Sequence, residues 1–138
     1  LSYAKKVDKP LLLDFTGWNC VNCRKMEESV WVDNDVYEIL KEELVIVSLY
    51  VDERIDLPVN EQKKNVPIGK NRTRDMVTVG DKWMIKQIND YGIAAQPYYV
   101  MQTPDGKDLS NGSADFQNHS NPKVFKEWLD KGLSEFNR

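Results

Sequence analysis

The sequence predicts an α/β fold in which strands and helices alternate. Two apolar runs, residues 11–15 and 44–51, have the length and composition of strands that are buried on both faces. A helical region separates them, and two neighbouring strands joined through a helix run parallel. The chain has 138 residues, 41% of them hydrophobic, which suits one domain (1–138) with a single core.

The first strand follows a short helical segment. Residues 2–8 predict a helical lead-in, which Lys9-Pro10 ends. The run "LLLDF" (11–15) comes next and is almost continuously apolar, apart from Asp14. We therefore interpret it as a strand that is buried on both faces.

The second strand lies beyond two helical stretches. One helix begins near Cys20, and "DND" (33–35) marks a break before a second stretch with apolar residues between 36 and 40. The run "LVIVSLYV" (44–51) then predicts another fully buried strand.

Residues 53–82 have a different character. Their first part, "ERIDLPVNEQKKNVPIGKNRTRD", is polar and basic and is interrupted by prolines and a glycine. A connection of about thirty residues is long for a compact domain. We interpret it as an insertion that is functional or mobile. The alternative is a surface insertion without a function.

The C-terminal part predicts a helix, a hairpin and a last helix. Apolar residues recur at helical spacing from 84 to 91, and Gly92 is a C-cap candidate. The segments 98–101 and 107–111 flank the turn "TPDG" and predict a β-hairpin. The terminal helix begins at Asn121-Pro122 and has an apolar stripe: Phe125, Trp128, Leu129, Leu133 and Phe136.

Charge and hydropathy exclude some classes of partner. The net charge of −3 gives no reason to expect nucleic acid or an anionic membrane as a partner. No stretch approaches the roughly 20 apolar residues that span a bilayer, so we expect no direct membrane insertion of this chain.

The chain has two cysteines, Cys20 and Cys23, both at a predicted helix start. Three interpretations compete: a redox pair, half of a metal site, and two inert buried cysteines. Structural zinc takes four Cys or His ligands, whereas this chain offers no other cysteine and only His119. We therefore expect no metal site, and we interpret His119 as a solvated loop residue.

The position of the two cysteines favours the redox interpretation. Gly17 allows the chain to turn before Cys20, and the N-terminus of a helix favours a thiolate there. Cys23 follows one helical turn later, close enough for a disulfide after small adjustments. A helix that opens with C-x-x-C after a strand is typical of a dithiol centre.

Two carboxylates are candidates for proton transfer to this pair. Asp14 interrupts an apolar strand, where an unpaired charge is costly, so its carboxyl is expected to titrate at high pH. Glu27 lies on the same helix face as both cysteines, four residues after Cys23. The alternatives are a strand-end hydrogen-bonding role for Asp14 and a solvated position for Glu27.

These residues carry a resemblance to the thioredoxin superfamily. The motif "CVNC" opens a helix, Asp14 precedes Cys20 by six residues, and Gln96-Pro97 precedes the strand "YYVM". The resemblance implies a central mixed sheet flanked by helices, with the insertion before the half that contains a cis-proline at Pro97. More narrowly, residues 9–31 resemble the C-terminal periplasmic domains of bacterial DsbD-type thiol:disulfide interchange proteins.

The resemblance also implies a function. It suggests a periplasmic, monomeric domain of an inner-membrane protein, which passes electrons from a membrane-embedded donor domain to disulfides of periplasmic proteins. Cys20 would attack and Cys23 would resolve the mixed disulfide, with no cofactor beyond this redox-active pair. Trp18 and Asn19 would line the rim, and Gln96 with Pro97 would shape the groove for the substrate.

Two alternatives stay open at this stage. Periplasmic oxidases and isomerases share the fold, although the Pro-His pair typical between their cysteines is absent here. A thioredoxin-like module that only binds partners would have no need of Cys20 and Cys23.

Overall fold

Strands and helices alternate along the chain, as the apolar pattern predicts. The computed structural model describes residues 1–138. The elements are α1 (Ser2–Val7), β1 (Leu11–Thr16), α2 (Val21–Ser29), α3 (Asn34–Glu42), β2 (Val45–Tyr50), a 3₁₀ turn (Val59–Glu61), β3 (Lys63–Ile68), β4 (Arg72–Met76), α4 (Val79–Tyr91), β5 (Tyr98–Gln102), β6 (Asp108–Asp115), α5 (Phe116–His119) and α6 (Pro122–Phe136). No helix is both long and apolar enough to cross a bilayer.

Four strands form the central sheet in the order β2-β1-β5-β6. β1 and β2 are parallel, whereas β5 runs antiparallel to both β1 and β6, so the prediction of a mixed sheet is confirmed. Phe15 at the end of β1 pairs with Tyr98 at the start of β5. The ends of β1 and β2 and the start of β5 therefore share one edge, and this is the edge at which α2 begins.

Side chains from β1 point alternately into two apolar clusters, as the period of a strand requires. Leu12 belongs to a cluster of 15 buried residues that includes residues of α2, α3 and α6. Leu13 and Phe15 belong to a cluster of six, against which Trp83 and Met84 of α4 pack. Helices therefore flank both faces of the sheet, and burial of both faces explains why the run 11–15 is apolar.

The prediction of a fully buried strand at 44–51 is wrong. β2 is an edge strand, because only β1 pairs with it. Most of its residues are half-buried, and Ser48 is exposed. Apolar composition alone does not distinguish an edge strand from a central one.

Side-chain caps fix the predicted helix ends. The Asp33 carboxylate accepts hydrogen bonds from the backbone N–H groups of Asp35 and Val36, so the break at 33–35 is the N-cap of α3. Asn121 caps α6 in the same way. Gly92 ends α4 with a φ of 70°, in the left-handed region where glycine has no steric penalty.

The insertion contains a hairpin that the sequence did not predict. β3 and β4 pair antiparallel, and residues 53–57 pair with 77–80 below them to form a stem. α4 begins at Val79, inside the predicted range 53–82, behind a capping box formed by Thr78 and Asp81.

The first turn of α4 packs backbone to backbone against the segment that directly follows β2. A Cβ atom added to Gly80 would lie 2.6 Å from the backbone nitrogen of Glu53 and 2.7 Å from the carbonyl oxygen of Val51. Only glycine permits this close approach. The contact holds the first and last residues of the insertion at the edge of the sheet where α2 begins.

Candidate active site

A disulfide joins Cys20 and Cys23 at the start of α2, as the redox interpretation requires, with 5.2 Å between their Cα atoms. Cys20 is the N-cap of the helix, and its Sγ accepts a hydrogen bond from the Cys23 N–H at 3.1 Å. Cys20 is half-buried, whereas Cys23 is only 1% exposed. The two sulfurs therefore differ in access to a partner molecule.

Asp14 is buried in the middle of the sheet. The pKa of its carboxyl is raised from 3.8 to about 7, chiefly by burial and also by the Glu27 carboxylate, while the Ser48 hydroxyl and the Arg24 charge oppose the shift. The Ser48 hydroxyl donates to Asp14 Oδ2 at 3.3 Å. The prediction that Asp14 titrates at high pH is confirmed, and its proton-transfer role stays a prediction.

Glu27 is half-buried and ion-paired. Arg24 donates to Glu27 Oε2 at 2.9 Å and to the Thr16 hydroxyl at 3.2 Å, so it bridges α2 and the end of β1. Sequence reasoning missed this function of Arg24, because the sequence alone does not show that Thr16 faces α2. Whether Glu27 acts on the sulfurs stays a prediction.

Trp18 and Asn19 form an exposed turn next to Cys20. Trp18 is 54% exposed and stacks on the Tyr50 ring, with 4.0 Å between the ring centroids. The Asp52 carboxylate accepts hydrogen bonds from the backbone N–H groups of Trp18, at 2.9 Å, and Asn19, at 3.2 Å. No pattern in the sequence points to Asp52, because its partners lie more than thirty residues away in the chain.

The Gln96–Pro97 peptide bond is cis, as the resemblance implies. Buried Gln87 of α4 donates from Nε2 to the Ala95 carbonyl at 2.8 Å, and its Oε1 accepts from Gln96 Nε2 at 2.8 Å. Gln87 therefore supports the loop that contains the cis-proline. Sequence reasoning missed this residue too.

A cleft of about 240 Å³ separates this loop from the start of α2. It is lined by Asn22 on one side, by Ile93 and residues 95–98 on another, and by Asp115, Phe116 and Gln117 on a third. The cleft places the proline loop opposite the motif that contains both cysteines.

His119 is not a solvated loop residue, so that prediction is wrong. It ends the one-turn helix α5, its side chain is 18% exposed, and its ring packs edge-on against Trp128. The His119 Nδ1 atom accepts a hydrogen bond from the Asp115 N–H. No group of three or more His, Cys, Asp or Glu side chains is placed to hold a metal ion.

Comparison with solved structures shows the same fold in proteins of thiol-disulfide chemistry. A thioredoxin from Thermus thermophilus is 17% identical, with a TM-score of 0.60 over 94% of this chain and 78% of that one. A DsbH oxidoreductase is 18% identical, with a TM-score of 0.61 over 96% and 78%. A disulphide isomerase from Xylella fastidiosa Temecula1 is 15% identical, with a TM-score of 0.55 over 99% and 85%.

Comparison with curated proteins finds no match. The family model of the thioredoxin-like domain, in contrast, matches residues 1–131, a span that includes both cysteines and the cis-proline. The resemblance to the thioredoxin superfamily is therefore confirmed. The Cys-x-x-Cys pair lies at disulfide distance within the fold of thiol-disulfide oxidoreductases. This chain belongs to the thioredoxin-like domain family.

Proposed function

We propose that this domain is a protein-disulfide reductase, which passes electrons through Cys20 and Cys23 from a membrane-embedded donor to periplasmic protein disulfides. The observation that carries the proposal is the asymmetric disulfide at the start of α2, with Cys20 half-buried and Cys23 buried, in the same motif as Asn22, which lines the cleft. The donor and the periplasmic location are supported by the resemblance of residues 9–31 to DsbD-type domains.

The proposed reaction has two exchange steps. The Cys20 thiolate attacks one sulfur of a substrate disulfide, which forms a mixed disulfide and releases one substrate thiolate. Cys23 loses its proton and attacks Cys20 Sγ, which closes the Cys20–Cys23 disulfide and releases the second substrate thiolate. Two electrons leave the domain in each cycle, and the donor's dithiol returns them by the reverse exchange.

Carboxylates around the pair support the reducing direction. Asp52 binds the backbone directly before Cys20, and Glu27, one turn beyond Cys23, interacts with Asp14. Negative charge beside a sulfur disfavours its thiolate. A dithiol whose thiolate is poorly stabilised passes on its electrons more readily, in contrast to a strong oxidant, whose reduced form is stabilised.

Equilibration with glutathione buffers tests the direction of electron flow. We expect a reduction potential near that of thioredoxin, about −270 mV, and reduction of insulin by the domain. A potential above about −150 mV would instead indicate an oxidase, because the reduced form would then be too stable to pass electrons on. Failure to exchange with any protein disulfide would indicate a module that only binds partners.

A further inference from the structure

The hairpin formed by residues 63–76, called the basic hairpin below, has a charge opposite to that of the rest of the domain. It contains Lys63, Lys64, Lys70, Arg72 and Arg74 but only one acidic residue, Asp75, so its net charge is +4. The whole chain has a net charge of −3, which leaves −7 on the remaining residues.

Four of the five cations have no intramolecular partner. Arg74 forms an ion pair with Asp81 of α4 at 2.9 Å. The other four cationic residues are exposed, and none of them forms an ion pair: Lys63, Lys64, Lys70 and Arg72. Their charges face solvent and are available to another molecule.

Hydrogen bonds and an ion pair hold the basic hairpin against α4. Near the tip, the Gly69 N–H donates to Asn89 Oδ1, and Asn89 Nδ2 donates to the Pro67 carbonyl at 3.0 Å. Near the base, the Arg74–Asp81 pair and the stem fix its position. A partner that binds such a preordered surface does not have to order it first.

The stem connects the basic hairpin to the edge of the sheet that carries the disulfide. It begins at Glu53, directly after Asp52, which binds the turn before Cys20. It returns through Gly80, which packs against the segment that directly follows β2. A protein held by the basic hairpin is therefore bound to a segment that is anchored next to the turn before Cys20.

We propose that the basic hairpin docks an acidic patch of the partner protein and thereby raises the rate at which the partner's disulfide reaches Cys20. The proposal rests on the function proposed above, which makes the partner a protein. Nucleic acid and anionic membranes are less favoured, because residues 63–76 contain no aromatic side chain to stack on bases or anchor in a bilayer, and the remainder of the domain is acidic.

Synthetic peptides with one intramolecular disulfide provide the test. Each has a flexible linker and a tail of aspartates, lysines or serines. We expect the reduced domain to exchange with the aspartate peptide about tenfold faster than with the serine peptide at low salt. At about 0.5 M salt this difference should disappear, because exposed charges are screened.

Charge reversal of the basic hairpin should reverse the preference. The variant with Lys63→Glu, Lys64→Glu, Lys70→Glu and Arg72→Glu should react faster with the lysine peptide. A matched control reverses four exposed lysines elsewhere that form no ion pair: Lys6, Lys107, Lys123 and Lys131. This control variant should retain the preference for the aspartate peptide. If both variants lost this preference equally, the preference would come from net charge, and the proposal would be overturned.

A second variant covers the case in which the charge-reversed protein misfolds. Lys63 and Met76 are cross-strand partners, so an Asn-Gly turn in place of residues 64–75 closes the shortened hairpin without disturbing the stem. This variant should reduce the serine peptide at the wild-type rate and show no preference among tails. A preference that survives the excision would also overturn the proposal.

Binding of cysteine-free peptides, measured by fluorescence anisotropy, separates the two proposals. Binding of the aspartate tail without any disulfide exchange would refute the reductase function and leave the docking surface. Disulfide exchange without a preference between tails would refute the docking surface and leave the reductase function. The docking proposal would also be overturned if the domain bound phosphatidylglycerol vesicles or single-stranded DNA through the basic hairpin more tightly than it bound the aspartate tail.

Discussion

The carboxylate of Asp52 holds the backbone N–H of Trp18 at 2.9 Å and so ties the end of β2 to the turn that precedes Cys20. The same carboxylate binds the N–H of Asn19, and its Oδ2 atom would lie 3.2 Å from a Cβ atom placed on Gly17. The turn "GWN" is thus wrapped around one side chain that lies more than thirty residues away in the sequence.

Asp52→Ala should lower the free energy of unfolding by about 1 kcal/mol, since two exposed backbone N–H groups lose their protein acceptor. Asp52→Asn retains one acceptor oxygen and should lower the free energy of unfolding by less. Both variants remove a negative charge, so both should lower the pKa of the Cys20 thiol. Urea denaturation and thiolate absorbance measure the two effects, and an unchanged thiol pKa in Asp52→Asn would exclude an electrostatic role.

The unequal burial of the sulfurs predicts unequal chemistry. Cys23→Ser should accumulate mixed disulfides with substrates, because Cys20 remains accessible and nothing resolves the adduct. Cys20→Ser should accumulate almost none. Alkylation of the reduced protein followed by mass spectrometry should show modification mainly at Cys20, and preferential labelling of Cys23 would reverse the assignment.

Asp14→Asn should stabilise the protein at neutral and alkaline pH. The folded-state pKa of this carboxyl is raised from 3.8 to about 7, so its ionisation is less favourable in the folded protein than in the unfolded chain. The stability of the wild type therefore declines as the pH rises from about 4 to about 7 and changes no further through this group. At pH above 7 the free energy of unfolding of the variant should exceed that of the wild type by up to about 4 kcal/mol, at 1.36 kcal/mol per pKa unit. Below pH 4 the two proteins should be almost equally stable.

Urea denaturation across this pH range checks the prediction. The asparagine amide oxygen still accepts a hydrogen bond from the Ser48 hydroxyl, so the pair keeps its geometry. Ser48→Ala serves as the control that removes the hydrogen bond and keeps the charge. Equal gains at pH 4 and pH 8 would show that the effect does not come from ionisation of Asp14.

The double substitution Asp14→Asn with Glu27→Gln should lower the apparent pKa of the reduced Cys20 thiol by about one unit. Removing two negative charges favours the thiolate, and the effect should be largest above pH 7, where Asp14 is ionised. Because the groups titrate together, the thiolate absorbance gives apparent values only. An unchanged titration would leave both carboxylates with structural roles.

Gln87→Leu should impair substrate binding without altering the chemistry of the sulfurs. The substitution removes the hydrogen bonds to the Ala95 carbonyl and the Gln96 side chain, which costs about 1–3 kcal/mol for buried polar groups. We expect slower exchange with a peptide disulfide and an unchanged rate of reduction by dithiothreitol. Gln96→Ala, which leaves the bond from Gln87 to Ala95 intact, should have a smaller effect.

The elements that local composition determines were predicted well. The strand at 11–15, the break at 33–35, the cap at Gly92 and the helix start at Asn121 each depend on residues within one or two turns of chain. The cysteine pair was located because its motif carries the chemistry, and the cis-proline because the resemblance to the thioredoxin superfamily implies it.

The failures concern features that depend on distant parts of the chain. The edge position of β2 follows from the absence of a strand beyond it, which composition cannot show. The hairpin of β3 and β4 has few apolar residues, and it is fixed by backbone pairing and by contacts with α4. Arg24, Asp52 and Gln87 were missed because each acts through partners that only folding brings near.

The backbone contact at Gly80 limits how this sequence can diverge. Any other residue there would press its Cβ atom into the backbone of Glu53 and Val51, since that atom would lie only 2.6–2.7 Å from their backbone atoms. The strain would fall on the segment that contains Asp52, and through it on the turn beside Cys20. Replacements at position 80 should therefore be rare among close homologues, even though the residue contributes no side chain to the site.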